Sequence, residues 1–465
     1  IQLLSDIITG AIGLGVLFLL GLALYWRYQD LRSDDPMRRN YPVVGHIRGL
    51  VIKMGEYIRT WILAPDREER PFNRVERDWV KLAATGKDPL KSFGSTVQDN
   101  AITFLPAAYP TLSEDAAYPE EKTIGEHTKN PYTTRCLFGI SGMSYGALNG
   151  KAIEALGLGA KKAGAWLNTG EGGVSEYHLR SGADLIVQIG TAKYGVRTEQ
   201  GNLSDADLKR LSALPQVKMF ELKLSQGAKP GKGGILPGEK VTAEIAKMRG
   251  IPQGKDSISP NRHPDIANDE ELLAVIKHIR EVTGKPCGFK FVMGDFQWFS
   301  DLLDKVNPKD GPDFIVIDGG EGGTGAAPQV LQDHVGMPLE KSLPAVVGAL
   351  KRHGLLGEIE VIASGRLITP ERVSWALAQG ADFVATARGA MLALGCLQAM
   401  KCDKGTCPAG IATHDPKLTK GLDVEDSANR VYNYLVRVEK GVATIAHSCG
   451  VSEPRQLQTK HLLNQ

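Results

Sequence analysis

Eight short apolar runs, separated by amphipathic stretches of helical period, are the feature that most limits what this chain can become. They are RCLFGI (from Arg135), AWLNTG (from Ala165), LIVQIG (from Leu185), MFELKLS (from Met219), CGFKFVM (from Cys287), FIVIDGG (from Phe314), EVIASGR (from Glu360) and DFVATAR (from Asp382). Between them lie segments such as NDEELLAVIKHIRE and SLPAVVGALKRHG, with apolar residues at helical spacing. Alternation of this kind predicts a parallel sheet with helices outside it. Eight is the number of strands that closes a (β/α)8 TIM barrel. An open doubly wound sheet is the alternative, and the glycines decide between the two. An open dinucleotide fold gathers its glycines in one first turn. Here they recur after several runs, as GMSYG, NTGEGG, QGAKPGKGG, DGGEGGTG and ASGR. That pattern suits a ring of loops around one ligand at the carboxyl ends of the strands, because glycine lets backbone approach a ligand closely.

Bulk properties narrow the function classes. The chain has 465 residues, 42% hydrophobic and 23% charged, which is ordinary for a folded protein with a large core. Its 55 basic residues against 53 acidic give a net charge of +2. No broad basic excess exists to neutralise phosphates, so nucleic acid is set aside as a partner. Six cysteines are too few for a disulfide framework in a chain this long. Cys396, Cys402 and Cys407 fall within one short stretch, which points to a metal site in a reducing compartment.

The N-terminus carries a different signal. Ile7 to Trp26 reads IITGAIGLGVLFLLGLALYW, an uncharged run close to the about 20 residues a helix needs to cross a bilayer. Tyr25 and Trp26 stand where an interfacial aromatic anchor would be, and Arg27, Arg32, Arg38 and Arg39 follow. By the positive-inside rule a single-pass anchor would leave the rest of the chain in the cytoplasm. A cleaved signal peptide and a buried core helix are the alternatives. The first residue is not Met, so residues upstream are expected to be missing. The expected organisation is a transmembrane anchor over 1–26, an irregular and helical collar over 27–134, the barrel over 135–395, and a cysteine loop with a helical tail over 396–465.

Six motifs together resemble the FMN-binding synthase domain of the glutamate synthases: SGMSYGAL (from Ser141), NTGEGG (from Asn168), QGAKPGKGGILPGEKV (from Gln226), ISPNRHPDI (from Ile258), DGGEGGTGAAP (from Asp318) and GCLQAMKCDKGTCPAGIAT (from Gly395). They run in the family's order from about Cys136 to Thr413. The resemblance implies a TIM barrel holding FMN, an oxoacid site above the flavin, and a 3Fe-4S cluster on Cys396, Cys402 and Cys407. Three thiolates suit three irons. Zinc, the competing metal, usually takes four ligands.

The residues themselves support these roles to different degrees. The last two βα loops are the usual phosphate grip of the fold, which selects Gly365, Arg366, Ala387 and Arg388. Met143, Ser144, Asn168, Thr169, Gln188, Gly320, Gly323 and Thr324 complete the expected flavin site. Lys290 lies inside an apolar strand, where an unpaired ammonium is costly to bury, so it is expected at the barrel mouth. The resemblance places it against the flavin ring. The resemblance implies that Gln226, Lys229, Lys247 and Arg249 lie at or near the 2-oxoglutarate site, and a dicarboxylate needs such donors; read alone, KPGKGG is more often a solvated basic loop. Glu171, in a glycine-flanked loop, can orient substrate or move a proton; a solvated loop carboxylate is its alternative. His263, in a Pro-rich loop, carries little weight.

Three departures from the family bear on the substrate. The family usually has a glutamine at Ile235, a second histidine at Pro264 and an aspartate at Glu321. The large glutamate synthases also open with a glutaminase whose nucleophile is a cysteine, whereas the first cysteine here is Cys136. The resemblance therefore implies reduction of the imine of 2-oxoglutarate with free ammonia, ammonia from a partner, or another amine such as methylamine. The electron donor is unknown. An electron-transfer module at the membrane, serving a protein partner, keeps the cofactors and changes the class. An IMP dehydrogenase-like barrel without flavin would need a cysteine in a loop after a mid-barrel strand, and these cysteines cluster after the last one.

Overall fold

The computed structural model describes residues 2–33, 36–58, 66–90, 92, 94–95, 101–117 and 119–463. It divides into two compact units, 1–75 and 76–465.

The first unit begins with the helix Gln2–Leu31. Its stretch Asp6–Leu31 is long and apolar enough to cross a membrane, a test that a signal sequence near an N-terminus also passes. Residues 6–21 are all exposed. At its end the buried Asp30 carboxylate accepts hydrogen bonds from Arg38 Nε (2.8 Å) and Val43 N (2.9 Å). The Trp26 ring stacks on His46 at 4.8 Å.

The second unit is built on a closed barrel of eight parallel strands. In chain order they are β1 (Phe138–Ile140), β2 (Trp166–Asn168), β3 (Asp184–Ile189), β4 (Val217–Lys223), β5 (Cys287–Phe291), β6 (Phe314–Asp318), β7 (Glu360–Ser364) and β8 (Phe383–Thr386). Each pairs with the next, and β8 closes on β1 through Val384 to Phe138 and Thr386 to Ile140. All eight apolar runs became strands. Consecutive closure leaves no open edge, so every strand is covered by helices outside and side chains within.

Trp166, 1% exposed, fills the barrel interior with Ile186, Met219, Phe314, Ile362 and Phe383. Its indole occupies the space beside Gly139, where a Cβ would lie 2.0 Å from Trp166 Cε2. Tyr132 and Ile124 join this cluster from an antiparallel hairpin, Lys122–Ile124 with Tyr132–Thr134, just before β1. Polar, irregular sequence before Pro131 had suggested only loops and short helices there. The pairing rests on three-residue strands too short to show a period.

Helices follow the strands as the periodicity predicts, beginning with Gly150–Ala163, which Asn149 caps by accepting from Ala152 N at 3.0 Å. The long helix Val424–Ser448 packs against it where Gly159 meets Val431. Between β4 and β5 the chain makes its largest excursion, residues 224–286. It holds a small hairpin, Ile235–Leu236 with Ser257–Ile258, and the helices Ala243–Arg249 and Asp269–Thr283.

Candidate active site at the carboxyl ends of the strands

The charged residues that a barrel must place somewhere gather at one end. β4 ends in Lys223, β5 carries Lys290 and β6 ends in Asp318, all near the carboxyl termini of their strands. Lys290 is 7% exposed and lies 3.4 Å from Asp318 Oδ2. The same Asp318 oxygen accepts from Gly227 N at 2.9 Å. A Cβ on Gly227 would fall 1.8 Å from Gly319 O, so glycine alone allows the β4 and β6 loops to meet. Burial of the Lys290 ammonium is thus compensated by a carboxylate one strand away, the condition that burying a charge requires.

Glu171 is the candidate acid. It follows β2 and is packed between loops, since a Cβ on Gly190 would come within 2.6 Å of its Cβ and one on Gly234 within 2.4 Å of Oε1. Lys223 Nζ lies 3.0 Å from Glu171 Oε2 and donates to Gln226 Oε1 at 2.9 Å. Burial pushes the Glu171 carboxyl upward, but Lys223, Lys229 and Arg249 together outweigh it and hold the group below its ordinary value. Lys229, 6% exposed, is driven down to about 8 by burial and by the neighbouring Lys223 charge.

Arg249 closes the cluster from the helix Ala243–Arg249. It is 5% exposed, and its guanidinium donates to Ser257 Oγ (3.3 Å) and Tyr145 O (3.4 Å) while lying over the Tyr194 ring at 5.1 Å. Lys247, two residues earlier, is exposed and is not among the charges that bear on Glu171. Two positions apart on a helix point in different directions. His263 Nε2 lies 3.0 Å from Lys223 O, and burial lowers the ring to about 4, so it is neutral at ordinary pH. Ile235, half exposed, sits on the hairpin strand beside Gly234, next to Glu171.

A second group surrounds the ends of β1 to β3. Asn168 Oδ1 accepts from Gly170 N at 2.9 Å, and Gln188 N donates to Thr169 Oγ1 at 3.2 Å. Gln188 Nε2 donates to Glu221 Oε1 at 2.5 Å. A Cβ on Gly142 would stand 2.8 Å from Asn168 Oδ1, and one on Gly170 would stand 2.6 Å from Ser144 N, so the Met143 and Ser144 turn lies directly over these strand ends.

The third group lies at β6 to β8. Gly365 has φ +147°, and a Cβ there would meet Glu321 Oε1 at 2.8 Å. Glu321 accepts from Leu339 N at 3.1 Å, and burial raises its carboxyl. Arg388 donates to Glu321 O at 2.8 Å. Burial and the adjacent Arg366 lower Arg388 to about 10. Asp318 and Glu321 act on Arg388 in the opposite direction. Ala387 is the residue from which the helix Arg388–Leu394 starts, and Gly320, Gly323 and Thr324 lie in the same β6 loop, where a Cβ on Gly323 would stand 2.7 Å from Arg388 Cδ.

After the last barrel helix comes the cysteine loop. Each of Cys396, Cys402 and Cys407 bears electrostatically on at least one other: burial raises Cys396 to about 11, with Cys402 and Cys407 adding to it. Gln398 N donates to Cys396 Sγ at 3.4 Å. Among the described residues no three His, Cys, Asp or Glu side chains stand close enough to hold a metal ion. The loop is fixed to the barrel by Asn149, whose Nδ2 lies within 3.0 Å of Ile411 O and Thr413 O, and by His414 Nε2, 3.1 Å from Gly146 O.

Lys223, Glu221 and Asp318 contact the candidate residues Glu171, Gln188 and Lys290 and were not among the sequence candidates. The signal was the one that selected Lys290, a charged residue set in an apolar strand. MFELKLS and FIVIDGG carry it equally.

A parallel eight-stranded barrel with charged side chains gathered at the carboxyl ends of its strands is an enzyme scaffold of the (β/α)8 class. The conserved region of glutamate synthase matches residues 92–452, and the chain belongs to the glutamate synthase family. It is 38% identical, over 97% of its length, to the glutamate synthase large subunit-like protein YerD of Bacillus subtilis (strain 168), covering 94% of that protein. It is 39% identical, over 69% of its length, to the archaeal glutamate synthase [NADPH] of Methanocaldococcus jannaschii, of which it covers 60%. Among solved structures, a chimera of (S)-mandelate dehydrogenase matches with a TM-score of 0.51 at 16% identity, over 84% of this chain and 99% of that one, and shares the barrel fold. The protein is a glutamate synthase-like oxidoreductase.

Proposed function

We propose that this protein is an FMN- and 3Fe-4S-dependent oxidoreductase that reduces the imine formed from 2-oxoglutarate and ammonia, or another amine, to glutamate or an N-substituted derivative. The observation that carries this reading is the cluster of Lys223, Lys229 and Arg249 around Glu171 at the mouth of the barrel. A dicarboxylate needs fixed cations, and a carboxylate among them is suited to an amine or iminium nitrogen.

FMN, when bound, supplies the hydride. The Arg366 and Arg388 pair beside Gly365 and Ala387 would suit its phosphate, because a bound anion would offset both the burial and the neighbouring charge that lower Arg388. Met143, Ser144, Asn168, Thr169, Gln188, Gly320, Gly323 and Thr324 would line the rest of its site. Lys290 would hold positive charge near the ring, with Asp318 fixing its position. Lys229 and Arg249 would bind the substrate carboxylates and Gln226 would orient them. Lys247 is the weakest of the proposed donors because it faces solvent. Glu171, kept ionised by Lys223, would accept a proton from the amine as the imine forms. The hairpin of Ile235 would keep water from the reacting carbon.

Cys396, Cys402 and Cys407 would hold the cluster, a reading that rests on their spacing in the chain and on thiolates being the usual ligands of iron-sulfur clusters. The helix Gln2–Leu31 would anchor the chain as a single pass with the barrel in the cytoplasm, as Arg27, Arg32, Arg38 and Arg39 favour. That helix also favours a second reading, in which electrons taken at the bilayer pass through the cluster and FMN to a protein acceptor. The proposed boundaries remain 1–26, 27–134, 135–395 and 396–465.

Anaerobic purification, flavin absorbance and cluster EPR test the cofactors directly, and Cys402→Ser should abolish the cluster signal while flavin remains. Addition of 2-oxoglutarate and ammonium to the reduced protein should reoxidise the flavin with glutamate formed. Reoxidation only by quinones or a protein acceptor would replace this reading with the second one.

A further inference from the structure

We propose that Glu221 is a positioning residue that fixes the Gln188 amide, so that Gln188 and Asn168 together offer an acceptor and a donor to a ring edge on which an N–H stands beside a carbonyl. The proposal deepens the FMN reading above and rests on it, since the pyrimidine ring of a flavin has such an edge. The three side chains come from adjacent strands. Asn168 ends β2, Gln188 lies one residue before the end of β3, and Glu221 on β4 stands in register with Gln188. All three are buried.

The two ends of a side-chain amide have nearly the same shape, so its partners decide which way it faces. A carboxylate offers only acceptors, so the Gln188 atom 2.5 Å from Glu221 Oε1 has to be Nε2. A backbone N–H only donates, so the Asn168 atom 2.9 Å from Gly170 N has to be Oδ1. These two fixed ends flank Gly142, where a Cβ would lie 2.8 Å from Asn168 Oδ1 and 2.9 Å from Gln188 Nε2. What remains is Gln188 Oε1, an acceptor, and Asn168 Nδ2, a donor. Among the described residues neither atom has a hydrogen-bond partner, and neither is fully enclosed by protein. The polarity of the pair is therefore set before any ligand arrives. Glu221 has cations for company, because Lys223 follows on the same face of β4 and stands in register with Lys290 of β5.

The test is a fluorescence titration of the full chain, freed of flavin, with FMN and with N3-methyl-FMN, which lacks the ring N–H. Glu221→Gln lets either end of the Gln188 amide face position 221, and should weaken FMN binding about tenfold, the scale of one buried hydrogen bond. The same variant should leave the affinity for N3-methyl-FMN within about threefold of wild type, because that ligand has no N–H to lose. Glu221→Ser, whose hydroxyl both donates and accepts, should show the same selective loss and replaces Glu221→Gln if circular dichroism shows that variant unfolded. A glutamate that merely packs the barrel would weaken both flavins alike. Equal losses for the two ligands, or no loss for FMN, would overturn the proposal. Failure of the wild type to bind either flavin would remove the FMN reading and this inference together. Wild-type binding without a selective loss in the variants would remove this inference alone.

Discussion

Lys223 Nζ stands 3.0 Å from Glu171 Oε2, an ion pair between the end of one barrel strand and the loop after another, with both side chains less than one-fifth exposed. Removing the cation leaves a largely desolvated carboxylate. Lys223→Met should therefore destabilise the protein by about 1–3 kcal/mol, between the values for exposed and fully buried pairs. Urea unfolding would measure it, and a change below about 0.3 kcal/mol would show the pair to be inert. The pH dependence has a defined sign. The folded value of Glu171 lies below its ordinary 4.5, so its contribution is present above that value and lost as pH falls through the folded value. Lys223→Met should flatten this acid limb.

Lys229, lowered to about 8 by burial and by Lys223, leads to the opposite dependence. The unfolded chain holds the proton up to its ordinary 10.5, so stability without ligand should rise as pH climbs from about 8 toward 10.5. A bound dicarboxylate favours the charged lysine, so binding of 2-oxoglutarate at pH 9 should take up protons and weaken as pH rises. Calorimetry in two buffers of different ionisation enthalpy would measure the uptake. Equal uptake in wild type and Lys229→Met would place the linkage elsewhere.

Asn149 serves two elements at once, capping the helix Gly150–Ala163 through Oδ1 and holding the cysteine loop through Nδ2. Asn149→Ala should cost about 1–2 kcal/mol through the cap alone. It should also speed amide exchange in residues 407–415 while leaving peptides from β5 and β6 protected. Unchanged exchange across the loop would mean that His414 and Lys240 suffice to hold it.

Trp166 and Gly139 share one volume in the barrel core. Trp166→Ala should cost about 3–5 kcal/mol, and Gly139→Ala should also destabilise, because its methyl would overlap the indole. The double variant should be less destabilised than the sum of the two, since removing the ring vacates the space the methyl needs. Strict additivity in a denaturation cycle would contradict this packing.

How much of this was legible in the chain differs from element to element. The runs from RCLFGI to DFVATAR became β1 to β8 because strands buried on both faces must be continuously apolar, and that property is local. Lys290 was legible for the same reason in reverse, as a charge where apolar residues are required. Lys223, Glu221 and Asp318 carried that signal and were outweighed by the glycine motifs beside them. The hairpin before β1 was hidden because its strands are three residues long.

Lys247 and Arg249 show the limit most clearly. Both are basic, two residues apart on one helix, yet one faces solvent and the other lies against Tyr194 near the acid. Sequence alone determined the barrel, its strand ends, the cysteine spacing and the apolar N-terminal helix, since each follows from period, length or composition along the chain. Only the tertiary structure decided that Glu171 pairs with Lys223, that Lys290 pairs with Asp318, and that Lys240 reaches the cysteine loop. These partners lie 52, 28 and 162 residues apart in the chain, and no local pattern encodes a contact made by closing a barrel.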